Sequence, residues 1–189
     1  ALRRAEEAGA AAVLMIVGFP GNVVNQPQGG ATVPPAKVPV LMLGDQDGRA
    51  IREMIERRQS PSIRLRLTVE TRTGLKTANV WGTLPGATDE QVALMAHADA
   101  FFEGAMDNAS GMATLVALAE HYAKVPKADR RRTMTFFTTF AHHSPSGEQA
   151  GVRWVHHNMP AMFAKTALVI NLEHTAQVAT YLIGEAFIT

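Results

Sequence analysis

Short apolar-rich runs that end abruptly in imidazole or carboxylate side chains are the feature that most constrains this chain. Residues 92–96, 132–140 and 167–172 are predicted strands, and the first and last of them lead directly into His97 and Glu173. Between these runs, apolar residues recur at helical spacing. Strands that alternate with helices predict an α/β fold, with a mostly parallel mixed sheet flanked by helices.

The first 70 residues follow a different pattern, which predicts a small and separate α+β domain. The predicted elements are, in order, a helix end over 1–10, a strand over 11–17, a loop over 18–37, a strand over 38–43, a turn over 44–48, a helix over 50–58 and an alternating strand over 63–70. This segment contains no histidine, so we assign it no metal or general-base chemistry. We therefore predict two domains, residues 1–70 and residues 71–189.

Composition excludes several classes of function. Lysine and arginine total 18 against 17 acidic residues, which gives no reason to expect nucleic acid as a partner. The absence of cysteine excludes disulfides, thiolate zinc sites and cysteine nucleophiles, so any metal must be held by histidine and carboxylate. The longest apolar run, residues 8–19, is too short to cross a bilayer, and we predict no transmembrane segment in this chain.

Polar side chains capable of binding metal follow each of the three predicted strands. Because the carboxyl ends of parallel strands meet at one edge of a sheet, we expect these side chains to share one site. Imidazole and carboxylate without sulfur suit zinc or another divalent ion in a hydrolytic site. The candidates are His97 and Asp99 after the first strand, Asp107 in the next loop, His142 and His143 after the second strand, and Glu173 and His174 after the third.

Simpler interpretations of the same residues stay open at this point. A histidine that ends a strand is more often a satisfied core residue, and Asp107 with Asn108 could cap the following helix. Asp99, two residues after His97, is placed to orient its imidazole. The remaining histidines lie on predicted helices and are interpreted as structural: His121, His156 and His157.

Four segments carry a resemblance to a known family. They are residues 79–85, residues 95–99, residues 104–111 with the run Asp-Asn-Ala-Ser-Gly, and residues 170–173. In this order they resemble the co-catalytic zinc peptidases of the aminopeptidase and glutamate-carboxypeptidase-like superfamily. Residues 1–70 similarly resemble the latter half of a protease-associated domain, so the chain looks like parts of two domains.

The resemblance implies roles for individual residues. His97 and Glu173 would bind one metal ion, Asp107 would bridge two ions, and Asp99 would orient His97. The family usually carries two consecutive glutamates after the strand that corresponds to residues 134–140, a general base followed by a ligand.

This sequence has His142 and His143 at the positions of the two glutamates, so His142 is the candidate base and His143 the candidate ligand. A different alignment would bring Glu148 to the site. The last histidine ligand of the family would fall beyond Thr189.

Taken together, these features predict a metal-dependent hydrolase that uses one or two Zn²⁺ ions. The predicted reaction is exopeptidase cleavage of a peptide or amino-acid amide by a metal-activated water, at either the amino or the carboxy end. The alternative is a catalytically inactive or altered homologue that acts as a binding domain, and the least specific alternative is an α/β domain with ordinary polar loops. Because relatives with a protease-associated insert are frequently exported, the resemblance favours a secreted or periplasmic location.

Overall fold

Two units make up the chain, residues 1–75 and residues 76–189. A computed structural model describes residues 2–17, 22, 37–70, 72, 74–101, 103–143 and 151–176. Most of the loop predicted over 18–37 lies outside the described residues, as does Glu148. None of the helices in the described segments is long and apolar enough to cross a membrane.

The first unit is built on a two-stranded parallel sheet. Its elements are α1 (Leu2–Glu7), β1 (Val13–Val17), β2 (Val40–Gly44) and α2 (Asp45–Glu56). Val13 pairs with Val40 at the start of the two strands.

The helix α2 begins five residues earlier than predicted, so the turn predicted over 44–48 is wrong. Asp45 and Asp47 lie in its first turn, where their negative charges interact favourably with the positive end of the helix dipole. Position 48 lies inside α2 and is occupied by glycine. A Cβ at this position would overlap the side chain of Ile16.

The strand predicted over residues 63–70 is also wrong. These residues form no helix or strand in the structure, and their apolar side chains are exposed. An alternating pattern indicates that one face could be buried, but it does not supply the neighbouring strand that a sheet requires. No described strand pairs with this segment.

A four-stranded mixed sheet forms the second unit. Its elements are β3 (Val80–Leu84), β4 (Thr88–His97), an irregular turn (Ala105–Ser110), α3 (Gly111–Ala123), β5 (Arg132–Thr139), α4 (Gly151–Asn158), α5 (Pro160–Ala164) and β6 (Thr166–Asn171). The strand order is β3-β5-β4-β6. The strand β4 pairs in parallel with β5 and β6, while β3 pairs antiparallel with β5. The predicted α/β class is therefore confirmed.

Helices cover both faces of this sheet. Ala93 and Met95 of β4 face α4 and α5, where Val155 and Met162 complete one buried cluster. The alternate residues of β4 face α3, and Leu94 and Ala96 pack with Leu115 and Phe136 in a second cluster. Because β4 is buried on both faces, its second half appears in the sequence as a continuous apolar run.

The strand register brings three chain segments to one place. His97, the last residue of β4, pairs with Thr139, the last residue of β5. On the other side of β4, the N–H of Leu172 donates to the carbonyl oxygen of Met95 at 2.8 Å. The residues that follow β5 and β6 therefore begin beside His97.

We expect the contact of α3 with the sheet to contribute strongly to stability. Leu115 is 4% exposed and Val116 is 51% exposed on the same helix. Leu115→Ala should lower the free energy of unfolding by about 2–5 kcal/mol, because it leaves a cavity between α3 and the sheet. Val116→Ala, the control, should cost less than about 1 kcal/mol. Urea unfolding followed by the fluorescence of Trp81 and Trp154 measures both, and equal costs would contradict this packing.

Candidate metal centre

His97 ends β4 and is almost fully buried, with a relative exposure of 3%. Its Nδ1 lies 2.9 Å from the carbonyl oxygen of Asp99. Since a carbonyl oxygen only accepts, Nδ1 donates a hydrogen bond to it, and Nε2 is the ring nitrogen directed to the other side. On that side lie Glu173 Oε1 and Asp107 Oδ1, each 3.0 Å from Nε2.

Two further imidazoles approach the same carboxylates. His143 Nε2 lies 3.3 Å from Asp107 Oδ1. His174 Nε2 lies 3.4 Å from Asp107 Oδ1 and 3.3 Å from Glu173 Oε1. The structure therefore brings together all the ligands that the sequence predicted, and it adds His174.

Asp99 contacts the imidazole of His97 mainly through its main chain. The carboxylate of Asp99 lies 3.6 Å from His97 Nδ1, so its main-chain carbonyl makes the shorter contact with the imidazole. The other carboxylate oxygen accepts a hydrogen bond from the N–H of His143 at 2.9 Å. Asp99 thus connects the end of β4 to the segment after β5.

Asn108 is the residue that ties the loop to the end of β6. Its side chain is 1% exposed, and its Nδ2 donates to the carbonyl oxygen of Leu172 at 2.9 Å and approaches Glu173 Oε2 at 3.4 Å. Its Oδ1 accepts from the N–H groups of Gly111 and His174, both at 3.2 Å. The peptide bond between Asp107 and Asn108 is cis. Sequence reasoning treated Asn108 only as a possible helix cap and missed this role.

Gly111 permits the close approach of α3 to the end of β6. A Cβ on Gly111 would overlap both Asn108 Oδ1 and the carbonyl oxygen of Leu172. This overlap gives a physical reason for glycine at the end of the Asp-Asn-Ala-Ser-Gly run.

His142 and His143 follow a sharp change of direction after β5. Ala141 adopts a left-handed conformation with φ 64°, which any residue with a Cβ adopts only at a cost. The ring of His142 stacks on that of His97, with centroids 4.3 Å apart, and is exposed on its outer side. The first of the pair thus faces solvent, while the second faces Asp107.

His174 also has a left-handed backbone conformation, with φ 50°, three residues after the end of β6. Strand alternation would send neighbouring side chains to opposite faces, but the turn lets Glu173 and His174 approach the same point. Sequence reasoning placed His174 at this edge without a role. The signal was its position beside Glu173, and the missing information was the backbone turn.

Mutual electrostatics shift the pKa values of the cluster. Burial raises the pKa of Asp107, but His143, His174 and His97 outweigh it, and the net pKa is lowered. Burial likewise raises the pKa of Glu173, and its contacts with His97 outweigh burial and lower it. Burial lowers the pKa of His97, yet the hydrogen bond and charge of Glu173, with Asp99 and Asp107, raise it overall.

His142 shifts in the opposite direction. Burial against its neighbours lowers its pKa, and the charges of His97 and His143 lower it further. The carboxylates are thus held ionised, while the His142 ring is held neutral.

The donor set fits a divalent metal ion. His174 Nε2 is a buried atom that lies 3.3–3.4 Å from two carboxylate oxygens, which have no hydrogen to donate. Ligand atoms about 2.0–2.1 Å from a tetrahedral zinc ion lie about 3.3 Å from one another. The separations here are 3.0–3.4 Å, and His97, Asp107 and Glu173 form a group that could hold an ion.

The chain is similar to a known protein family and to proteins of known structure. The model of peptidase family M28 matches residues 79–182. The fold is similar to that of a Peptidase M28 precursor from Shewanella amazonensis SB2B, with a TM-score of 0.61 and 22% sequence identity. The alignment covers 86% of this chain and 37% of the Shewanella protein. This chain therefore spans just over a third of the length of the Shewanella protein. No curated protein matches significantly.

We expect Gly111→Ala to destabilise the fold around the centre. The new methyl group would push Asn108 away from the end of β6, and such overpacking costs about 1–3 kcal/mol of unfolding free energy. Gly82→Ala is the matched control, because a Cβ there meets nothing within 4 Å. Urea unfolding compares the two variants, and an unchanged stability for Gly111→Ala would contradict the described packing.

Proposed function

The chain belongs to peptidase family M28, whose model matches more than half of it, and from this premise we propose that it provides a metal-dependent active site for peptide-bond hydrolysis. The observation that carries the proposal is the convergence of three imidazole nitrogens on two carboxylate oxygens within 3.0–3.4 Å. The residues that make these contacts follow three different strands. That arrangement is expected of a binding site rather than of ordinary loops.

The proposed ligands of a first Zn²⁺ ion are His97, Asp107 and Glu173, and His143 with Asp107 would hold a second. In such a site, Zn²⁺ supplies Lewis acidity that lowers the pKa of a water and polarises a carbonyl oxygen. Asp99 contributes by holding the Nδ1 hydrogen of His97, which leaves Nε2 directed at the centre.

His142 is the proposed general base. It is the member of the cluster whose ring has an exposed face, and its lowered pKa keeps it neutral and able to accept a proton near neutral pH. Its stacking on His97 places it beside the ligands without using Nε2 of His97.

The proposed substrates are peptides or amino-acid amides, cleaved as an aminopeptidase or a carboxypeptidase would cleave them. We also propose that the first unit is part of a protease-associated domain and that the protein is exported. The similar structure from Shewanella amazonensis is described as a precursor, which supports export.

A second candidate is an altered or inactive homologue that binds peptides without cleaving them. The observation in its favour is the histidine pair after β5, where the family resemblance implies two glutamates. An imidazole supplies less negative charge than a carboxylate, which weakens the attraction for a second dication.

We predict that the protein, freed of metal and then supplied with zinc at neutral pH, retains at least one ion after desalting. His97→Ala and Asp107→Asn should each reduce the retained zinc by at least about 10-fold, because each removes a donor from the first ion. Elemental analysis of the desalted protein measures this content. His156→Ala, on α4 outside the cluster, is the control and should retain zinc as the wild type does. Wild-type protein that retains no zinc after this treatment would contradict the proposed function.

His142→Ala should separate the two candidate functions. Loss of a general base lowers kcat by about 10²–10⁴-fold, while zinc content stays at the wild-type level because the proposed ligands are intact. Turnover of aminoacyl amides and dipeptides, measured beside zinc content, gives both quantities. Wild-type turnover that survives in His142→Ala would exclude His142 as the base, and a zinc-loaded wild type without turnover would favour the binding domain.

A further inference from the structure

Phe101 has no role in the expectations drawn from the sequence, yet its ring contacts one of the proposed ligands. We propose that Phe101 is the positioning residue for His143. Its ring holds the imidazole with Nε2 directed at Asp107, so that binding of the second ion depends on a side chain that binds no metal itself. The inference rests on the proposed function and deepens it.

The main chain of His143 is fixed, but a fixed main chain does not set the direction of the imidazole. The N–H of His143 donates to Asp99 Oδ2 at 2.9 Å, and Ala141 makes a left-handed turn just before it. Two side-chain torsions still separate the main chain from the ring, and their staggered rotamers point the ring in several directions. The direction in which Nε2 lies 3.3 Å from Asp107 Oδ1 therefore depends on what the ring packs against.

The ring of His143 packs against three other rings. Its centroid lies 5.0 Å from that of His97 and 4.9 Å from that of His142, and both contacts are edge-on. The centroid of Phe101 is nearer, at 4.4 Å, with the ring planes tilted by 53°. Tilted aromatic pairs at such distances attract each other. Phe101 therefore makes the closest of these ring contacts with His143.

Phe101 differs in its chemistry from the two imidazoles. A phenyl ring neither donates nor accepts a conventional hydrogen bond, and it offers no ligand atom to a metal ion. It can thus constrain the ring of His143 without competing for Nε2 or for the ion. His97 is a proposed ligand of the first ion and His142 is the proposed base, so Phe101 is the neighbour without another proposed task.

The loop after β4 is compact where it carries Phe101. Gly104 has a left-handed conformation with φ 59°, and a Cβ there would overlap the Cβ of Ala100. The same Cβ would lie 3.1 Å from the carbonyl oxygen of Asp107. Phe101 and Asp107 therefore contact His143 from two points of one tightly folded loop.

The two proposed ions should depend on Phe101 to different degrees. The first ion is assigned to His97, Asp107 and Glu173, whereas the second requires His143. Loss of the phenyl ring would leave a gap beside the imidazole of His143, which could then adopt rotamers that take Nε2 away from Asp107. Residues that orient a metal ligand change metal affinity by about 10–100-fold.

The test is stepwise binding of Zn²⁺ to the metal-free whole chain, measured by calorimetry, with Phe101→Ala and Phe101→Tyr beside the wild type. We expect two binding steps in the wild type. Phe101→Ala should weaken the second step by at least about 10-fold and leave the first unchanged, and Phe101→Tyr, which keeps the ring, should restore the second. Phe163→Ala is the matched control, because Phe163 packs against His156 outside the centre, with centroids 5.4 Å apart.

A second measurement tests the contact itself and requires no variant. Nuclear Overhauser effects between the ring protons of Phe101 and His143 are expected in the metal-free wild type, and their absence would overturn the inference. An unchanged second step in Phe101→Ala would also overturn it, as would equal weakening of both steps, which a purely structural role would produce. If the wild type binds no Zn²⁺, the proposed function fails together with the inference. If it binds one ion only, or two ions that do not depend on Phe101, the inference alone fails.

Discussion

The parallel pairing of β4 with both β5 and β6 is the constraint on which the rest of the site depends. Because all three strands run in one direction, their carboxyl ends meet at the same edge, and the register places His97 beside the residues that follow the other two strands. Burial of β4 on both faces fixes this register, since a slip of one residue would exchange the two core clusters. The stability of the core thus determines the geometry of the centre.

The edge of the sheet carries an electrostatic arrangement that apolar packing alone does not explain. Asp107 and Glu173 are partly buried carboxylates, and partly buried charges require compensation. The imidazoles supply it when protonated, which is why the pKa of His97 rises and those of the two carboxylates fall. A divalent cation would provide the same compensation without the protons, and the Nε2 atoms that now face carboxylate oxygens would bind it.

The strands and the polar residues at their carboxyl ends could be predicted from the sequence, because apolar runs and terminal polar residues are local features. The strands β5 and β6 begin and end within one residue of prediction, and α4 has the predicted bounds. Other features depend on tertiary structure and could not be predicted. The left-handed turns at Ala141 and His174 aim side chains in directions that strand periodicity does not predict. The strand predicted over residues 63–70 is wrong for the same reason. An alternating sequence pattern does not indicate which neighbouring strand it would pair with.

A zinc-soaked crystal of the protein, with anomalous diffraction collected at the zinc edge, tests the central claim most directly. The claim is that three strand ends form one metal centre. The account predicts an anomalous peak enclosed by His97, Asp107 and Glu173. A zinc-loaded crystal without a peak there, or with its strongest peak at the α4 histidines His156 and His157, would contradict the claim.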